Sequence, residues 1–93
     1  MVLVNMKEII KISERERKCL EVLVYMYKNE ANCMYFSYIA RQADLDVRQT
    51  RIAVRSLVRK GLAEYVRGLF DDEGMVAGSG HCATQEGVNL IEI

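Results

Sequence analysis

The hydrophobic pattern of this 93-residue chain changes its period at Gly61. Before Gly61, apolar residues recur every three or four positions, a spacing typical of amphipathic helices. After it, residues 62–70 and 75–83 are predicted strands that form a hairpin. A short final helix is predicted over residues 85–93, capped by the threonine before it and weakened by Gly87. The sequence therefore predicts a mostly helical α+β domain in which helices precede a β-hairpin.

The first two helices are defined by their apolar faces. The first is predicted over residues 14–28, where Ser13 and Glu16 have the spacing of a capping box. Its apolar face consists of Leu20, Leu23, Val24 and Tyr27. The second is predicted over residues 36–43, with Phe36, Ile39, Ala40 and Ala43 at the same helical spacing.

The third helix is predicted over residues 46–60. Asp46 is a favourable N-cap, and Gln49 three residues later can complete a capping box. Gly61 is the expected stop at its C-terminal end. Leu45 lies in the tight turn before this helix, where two packed helices need one buried apolar residue. These elements predict a three-helix core followed by a hairpin and a short helix.

This order of elements is that of a winged helix-turn-helix domain. The stretches YIARQADLDV (residues 38–47) and LVRKGL (residues 57–62) resemble winged-helix transcription regulators of the MarR type. The later HCATQEG (residues 81–87) is similar to the strand and T-x-x-G ending common in that group. The resemblance covers roughly residues 14–90. It implies one winged-helix domain that binds double-stranded DNA.

Charge is distributed unevenly along a chain whose formal net charge is zero. Residues 41–60 contain six cations and two anions, whereas the rest of the chain contains seven cations and eleven anions. The six cations are Arg41, Arg48, Arg51, Arg55, Arg59 and Lys60. One basic segment on an otherwise acidic body indicates an anionic partner for that segment.

The predicted third helix has two opposite faces when its residues are placed at intervals of about 100°. The core face consists of Val47, Thr50, Ala53, Val54, Leu57 and Val58. The opposite face consists of Arg48, Arg51, Arg55 and Arg59, with Ile52 among them and Gln49 at the edge. A solvated face usually balances arginines with glutamates four residues away, and this helix contains none. The pattern therefore favours contact with DNA over contact with solvent alone.

These residues predict a recognition helix over residues 46–60 that enters the major groove. The side chains assigned to base edges are Arg48, Gln49, Ile52 and Arg51. The side chains assigned to phosphates are Arg41, Arg55 and Arg59. Arginine suits both roles because its planar guanidinium group can clamp a phosphate or bind the O6 and N7 atoms of guanine.

The predicted hairpin, or wing, has an acidic tip. Asp71, Asp72 and Glu73 would be repelled by phosphates, so we expect the tip not to insert into DNA. Arg67 on the first strand remains as the expected wing contact. The glycine-rich residues 78–80 are expected to allow a bulge or bend in the second strand.

Both ends of the chain are apolar, over residues 2–10 and 88–93. Either these segments cover the core, or they form the interface of a homodimer. We expect a homodimer, since symmetric dimers suit palindromic half-sites. Residues 1–12 are then an N-terminal arm of a single domain that spans residues 1–93.

The three cysteines, Cys19, Cys33 and Cys82, are odd in number and widely spaced, which is unlike a secreted disulfide framework. With no signal peptide or membrane span expected, a cytoplasmic protein is predicted. Cys19 is predicted to pack in the first helix. Cys33, in a loop or short strand, is either an exposed, redox-active thiol, half of an intersubunit disulfide, or neither. A thiol sensor would require Cys33 or Cys82 to titrate near neutral pH.

Catalysis has little support in the sequence. The one histidine, His81, lies next to Cys82, and adjacent residues of a strand point to opposite faces. No metal site and no cofactor is expected, and the sequence identifies no effector. The predicted function is sequence-specific binding of double-stranded DNA by a small homodimeric transcription regulator. The alternative is a winged-helix module for protein–protein assembly, whose basic helix faces an acidic partner.

Overall fold

A computed structural model describes residues 11–29, 33–70 and 76–92 of the chain. The elements are α1 (Glu14–Asn29), α2 (Phe36–Ala43), α3 (Val47–Arg59), β1 (Ala63–Phe70), β2 (Val76–Ala83) and α4 (Gln85–Glu92). This order confirms the predicted three-helix core, hairpin and short helix. Most of the predicted N-terminal arm and the acidic tip of the wing lie outside the described residues.

Capping boxes begin α1 and α3, as predicted. At α1, the Glu16 carboxylate accepts the Ser13 backbone N–H at 2.7 Å, and Ser13 Oγ accepts the Glu16 N–H at 3.1 Å. At α3, Asp46 Oδ1 accepts the Gln49 backbone N–H at 2.7 Å, and Gln49 Oε1 accepts the Asp46 N–H at 3.3 Å. Each box satisfies two donors that a helix start otherwise leaves free, so both starting points are fixed by local sequence.

The turn between α2 and α3 depends on Asp44, whose backbone lies in the left-handed region at φ 59°. Aspartate is one of the few residues with a side chain that tolerate this conformation. The Leu45 N–H donates to the Ala40 carbonyl at 3.0 Å, which closes the end of α2. Leu45 is half-buried against the core, as predicted. This turn sets the angle at which α3 leaves α2.

The core lies between the three helices and the start of the hairpin. Its fully buried side chains include Leu20, Leu23, Ile39, Val54, Leu57 and Leu62. Two residues assigned to apolar faces are exposed instead, since Tyr27 is 43% and Val47 is 40% accessible. Both lie at helix ends, where neighbouring elements no longer cover the apolar face.

The two strands pair antiparallel, with Ala63 opposite Ala83 and Val66 opposite Gly80. The register shifts beyond Val66, which confirms the irregularity expected from the glycine-rich second strand. Met34 adds an isolated bridge to His81, with backbone hydrogen bonds of 2.8 Å in both directions. The wing is therefore bonded to the segment that leads into α2.

Helix α4 packs on the connection between α3 and β1. Thr84 Oγ1 accepts the Gly87 N–H at 3.2 Å and donates to the Gly61 carbonyl at 2.7 Å. A Cβ atom at Gly87 would lie 2.2 Å from the Leu62 carbonyl oxygen. The glycine that weakens this helix locally is therefore the residue that lets it pack closely.

The C-terminal apolar residues cover the core. Val88 is buried, and Leu90 and Ile91 are half-buried and packed against the core cluster. This observation favours the core-covering interpretation for the described part of the C-terminal segment. Within the described ranges, no helix is both long and apolar enough to cross a membrane.

Candidate nucleic-acid interface

Helix α3 buries one face and exposes the opposite one. Thr50, Val54 and Leu57 are fully buried, whereas the four arginines of this helix are exposed. Those arginines are Arg48, Arg51, Arg55 and Arg59. Ile52 lies among them and is 61% exposed, so it is not part of the core. The predicted division of α3 into a core face and a basic face is confirmed.

The C-terminal end of α3 is attached to the start of α1 by a half-buried ion pair. The Lys60 ammonium lies 2.9 Å from Glu16 Oε1 and also donates to the Lys11 carbonyl at 2.8 Å. Burial would raise the pKa of the Glu16 carboxyl, but hydrogen bonds, chiefly from Ser56, and the Lys60 charge hold it below its usual value. Glu16 is thus ionised at neutral pH and fixes the C-terminal end of α3.

A shallow groove of about 240 Å³ lies between the start of α1 and the length of α3. Its lining includes Arg15, Gln49, Ile52 and Arg59, so a cation from α1 joins the basic face of α3. Arg15 was not among the predicted site residues. The capping box at Ser13 places Arg15 in the first turn of α1, but its proximity to α3 depends on packing between distant segments.

Gln49 is half-buried and has a structural role. Its Oε1 atom accepts the Asp46 N–H in the capping box, which leaves the Nε2 amide as its outward donor. A bidentate contact with adenine uses both ends of a glutamine amide. Gln49 can therefore make that contact only if it releases the helix cap.

The other side of α3 is connected to the wing through stacked side chains. The Arg51 guanidinium lies 5.4 Å from the centre of the Phe36 ring, and the Phe36 and His81 rings are 4.9 Å apart. His81 lies 5.0 Å from Tyr65, and the Arg67 guanidinium lies 5.9 Å from the Tyr65 ring. We call these five residues the stack. Burial lowers the pKa of the His81 imidazole, and the charge of nearby Arg55 lowers it further.

Solved structures with the same arrangement provide the comparison. Staphylococcus aureus MepR bound to ethidium bromide matches 95% of this chain with a TM-score of 0.70 and 19% identity, over 59% of its own length. MepR in its DNA-binding conformation matches 99% of this chain with a TM-score of 0.64 and 20% identity, over 67% of its length. A candidate DNA-binding protein from Ralstonia eutropha JMP134 matches 88% with a TM-score of 0.66 and 25% identity, over 95% of its length.

This chain has the winged-helix fold. MepR is a transcription regulator of the MarR family, the group that the sequence resembles. The chain spans somewhat more than half of the MepR chain with ethidium, and neither a protein-family model nor a curated protein sequence matches it. In winged-helix terms, α2 and α3 are the helix-turn-helix and β1 and β2 are the wing.

The winged helix brings most of the predicted site residues onto adjoining surfaces. Arg48, Ile52 and Arg59 lie on the outward face of α3, and Arg55 lies beside them, near His81. Arg51 and Arg67 are exposed at the two ends of the stack. Arg41 is exposed in the last turn of α2. Their roles toward DNA stay predictions.

A disulfide joins Cys33 to Cys82 within the winged helix, with their Cα atoms 4.7 Å apart. The intersubunit bridge considered for Cys33 is replaced by this intrachain bond. The reason is the Met34–His81 bridge, which places the two cysteines directly opposite each other in an antiparallel pair. Because Cys82 is in the disulfide and the His81 ring is in the stack, these neighbours do not form a nucleophile–base pair.

Cys19 is the free thiol of the described residues and is fully buried, as predicted. Burial raises the pKa of the Cys19 thiol to about 11. A thiol in this environment stays protonated and unreactive at neutral pH. Cys19 therefore serves packing rather than chemistry.

Proposed function

We propose that this winged helix binds double-stranded DNA in a sequence-specific manner and regulates transcription, with α3 in the major groove. One observation supports this most directly: α3 exposes four arginines around a largely exposed isoleucine, and its sequence contains no carboxylate. These arginines have no carboxylate on the same helix to balance their charge, and the helix is held at both ends. Such a surface can bind the phosphates that line a DNA groove. MepR is described as a transcription regulator of the multidrug efflux pump MepA, which is consistent with this proposal.

We propose distinct roles for the side chains along this surface. Arg48 and Ile52, near the start of α3, contact base edges, Ile52 through a thymine methyl group. Gln49 donates from Nε2 while its Oε1 holds the cap. Arg55 and Arg59, further along the helix, contact phosphates and set the register.

The remaining arginines extend the contact beyond α3. Arg41 on α2 contacts a phosphate beside the groove, and Arg51 contacts a base edge from the side of α3 nearest the wing. Arg67 provides the wing contact. No catalytic step is proposed, and a regulator of this kind acts in the compartment that holds the DNA.

We also propose that the domain works as a homodimer on palindromic half-sites about 34 Å apart. The support for this proposal is the apolar sequence of the N-terminal segment, residues 2–10. Sedimentation at micromolar concentration tests the dimer directly. A monomer at that concentration, with or without a palindromic duplex, contradicts it.

The test of DNA binding is a fluorescence-anisotropy titration at two salt concentrations. It uses a random-sequence duplex pool and duplex DNA from upstream of the gene that encodes the chain. Arg48→Glu is the test variant. A glutamate in the first turn of a helix interacts favourably with the helix dipole, so this change leaves folding intact. Arg17→Glu is the matched control, since it makes the same charge change on an exposed position of α1.

We expect salt-sensitive binding that Arg48→Glu weakens by at least about tenfold and Arg17→Glu changes little. Equal weakening by both variants would mean that only net charge matters and would refute the assignment of α3. Absence of duplex binding at low salt would overturn the proposal and favour the protein-assembly module, with the basic face of α3 as the surface to probe.

A further inference from the structure

The stack joins the helix-turn-helix to the wing through side chains from four elements, α2, α3, β1 and β2. We infer that it makes Arg51 and Arg67 a single clamp on DNA, with His81 at its centre as a positioning residue. This inference rests on the proposed function, which it deepens by assigning a role to residues that have no predicted contact with DNA. Those residues are Phe36, His81 and Tyr65.

The members of the stack follow one another without a gap. Consecutive groups are separated by 4.9 to 5.9 Å, within the range of aromatic stacking and cation–π contacts. Its two ends, Arg51 and Arg67, are exposed, whereas the central His81 is only 8% accessible. A buried centre with charged ends is the form expected of a spacer between two binding groups.

The centre of the stack is held by the backbone around it. His81 exchanges two backbone hydrogen bonds of 2.8 Å with Met34, and its neighbour Cys82 is bonded to Cys33. Two residues after Met34, Phe36 begins α2 and packs on the His81 ring. The His81 backbone is therefore bonded to the segment that begins the helix-turn-helix, and its ring packs on the first residue of α2.

Stacking leaves both arginines able to bind DNA. A guanidinium group contacts an aromatic ring through its flat face, while its five N–H donors lie in its own plane. Those donors stay available for a phosphate or a guanine. Side chains that are already held in place lose less conformational freedom on binding. Because the stack connects the two arginines, DNA bound to one of them stabilises the bound position of the other.

The experiment is a double-mutant cycle for binding to the tightest duplex selected from the random pool. The affinity for this duplex is measured by anisotropy for the wild-type chain, for Arg51→Ala and Arg67→Ala singly, and for the double variant. We expect the double variant to depart from the product of the single effects by about threefold or more, because the two arginines are coupled. The same cycle with Arg48→Ala in place of Arg51→Ala is the matched control, since Arg48 lies outside the stack, and it is expected to be additive within about twofold.

The role of His81 is tested by repeating the Arg51–Arg67 cycle in two backgrounds. His81→Ala removes the central ring and is expected to make the two effects additive, whereas His81→Phe keeps a flat ring and is expected to restore the coupling. Thermal melting checks that each background folds. If His81→Ala does not melt cooperatively, Phe36→Leu interrupts the stack at another member and replaces it.

Three outcomes would overturn all or part of the inference, and they have different meanings. Additive effects of Arg51 and Arg67 in a wild-type chain that binds DNA would refute the clamp alone. Coupling that persists unchanged without the central ring would also refute the role of His81. Failure of the wild-type chain to bind duplex DNA would remove the proposed function and this inference with it.

Discussion

Reduction of the Cys33–Cys82 disulfide is expected to destabilise the winged helix strongly. The two cysteines are separated by 49 positions, so the bond closes the whole helix-turn-helix and nearly all of the wing into one loop. In the chain-entropy description, a loop of this length stabilises the folded state by about 4 kcal/mol relative to the reduced chain. For a domain of this size, that corresponds to a fall in melting temperature of roughly 15–30 °C.

The assay is thermal unfolding followed by circular dichroism, in oxidising buffer and in buffer containing a phosphine reductant. A thiol count under denaturing conditions accompanies it, with one free thiol expected before reduction and three after. Cys33→Ser is expected to melt at the reduced temperature in both buffers. Cys19→Ala is the control, because it removes the free thiol and leaves the redox-dependent shift in place.

Two results would refute this reasoning. A melting temperature that falls by only a few degrees on reduction would mean that the hydrogen bonds between Met34 and His81 already hold the two segments together. A covalent dimer on a non-reducing gel, abolished by Cys33→Ser, would show that Cys33 bonds to a second chain. The size of the shift, the thiol count and the gel together distinguish an intrachain bond from both alternatives.

Four further predictions concern packing, titration and DNA contacts. Gly87→Ala is expected to lower the free energy of unfolding by about 1–3 kcal/mol, because its Cβ would clash with the Leu62 carbonyl; denaturant titration measures this. Glu16→Gln should lower the free energy of unfolding by a similar amount at neutral pH but not at acid pH. A carboxyl whose pKa is lowered in the folded state stabilises the fold above its unfolded pKa, and this effect is lost as the pH falls through the folded pKa. Because folding lowers the pKa of His81, its imidazole binds a proton more readily in the unfolded chain. The free energy of unfolding should therefore decrease as the pH is lowered below about 6.5, and it should decrease less in His81→Phe. Arg59→Ala should weaken binding uniformly across sequences and reduce the salt slope by about one, whereas Arg48→Ala should relax base preference at one position; the reverse pattern contradicts the assigned roles.

Local chemistry in the sequence was enough to locate the elements of this fold. Ser13 with Glu16 and Asp46 with Gln49 are pairs whose atoms bond across a single helical turn, so their spacing alone determines the helix starts. The exposed arginine face of α3 follows from the same regular geometry. Such features depend on neighbours in the chain and are therefore visible in one sequence.

Features that depend on distant segments were not visible in this way. The bond between Cys33 and Cys82 needs the pairing of Met34 with His81, and no sequence pattern identifies an isolated bridge. The contact of Arg51 with Phe36 depends likewise on the angle between α2 and α3. The exposure of Tyr27 depends on where the elements that cover α1 end.

The capping role of Gln49 limits how the DNA preference of such a domain can change. Under the proposed function, Gln49 both caps the helix and faces the major groove. It then cannot be replaced freely, because most side chains that would select another base cannot accept the Asp46 N–H. Glutamate can replace it as a cap, but its charge would repel phosphates. Arg48 and Ile52 have no part in the capping box, so substitutions there are expected to alter the proposed base contacts at little cost to folding. Divergence of target sequence among relatives of this chain is therefore expected at positions 48 and 52, while position 49 remains fixed.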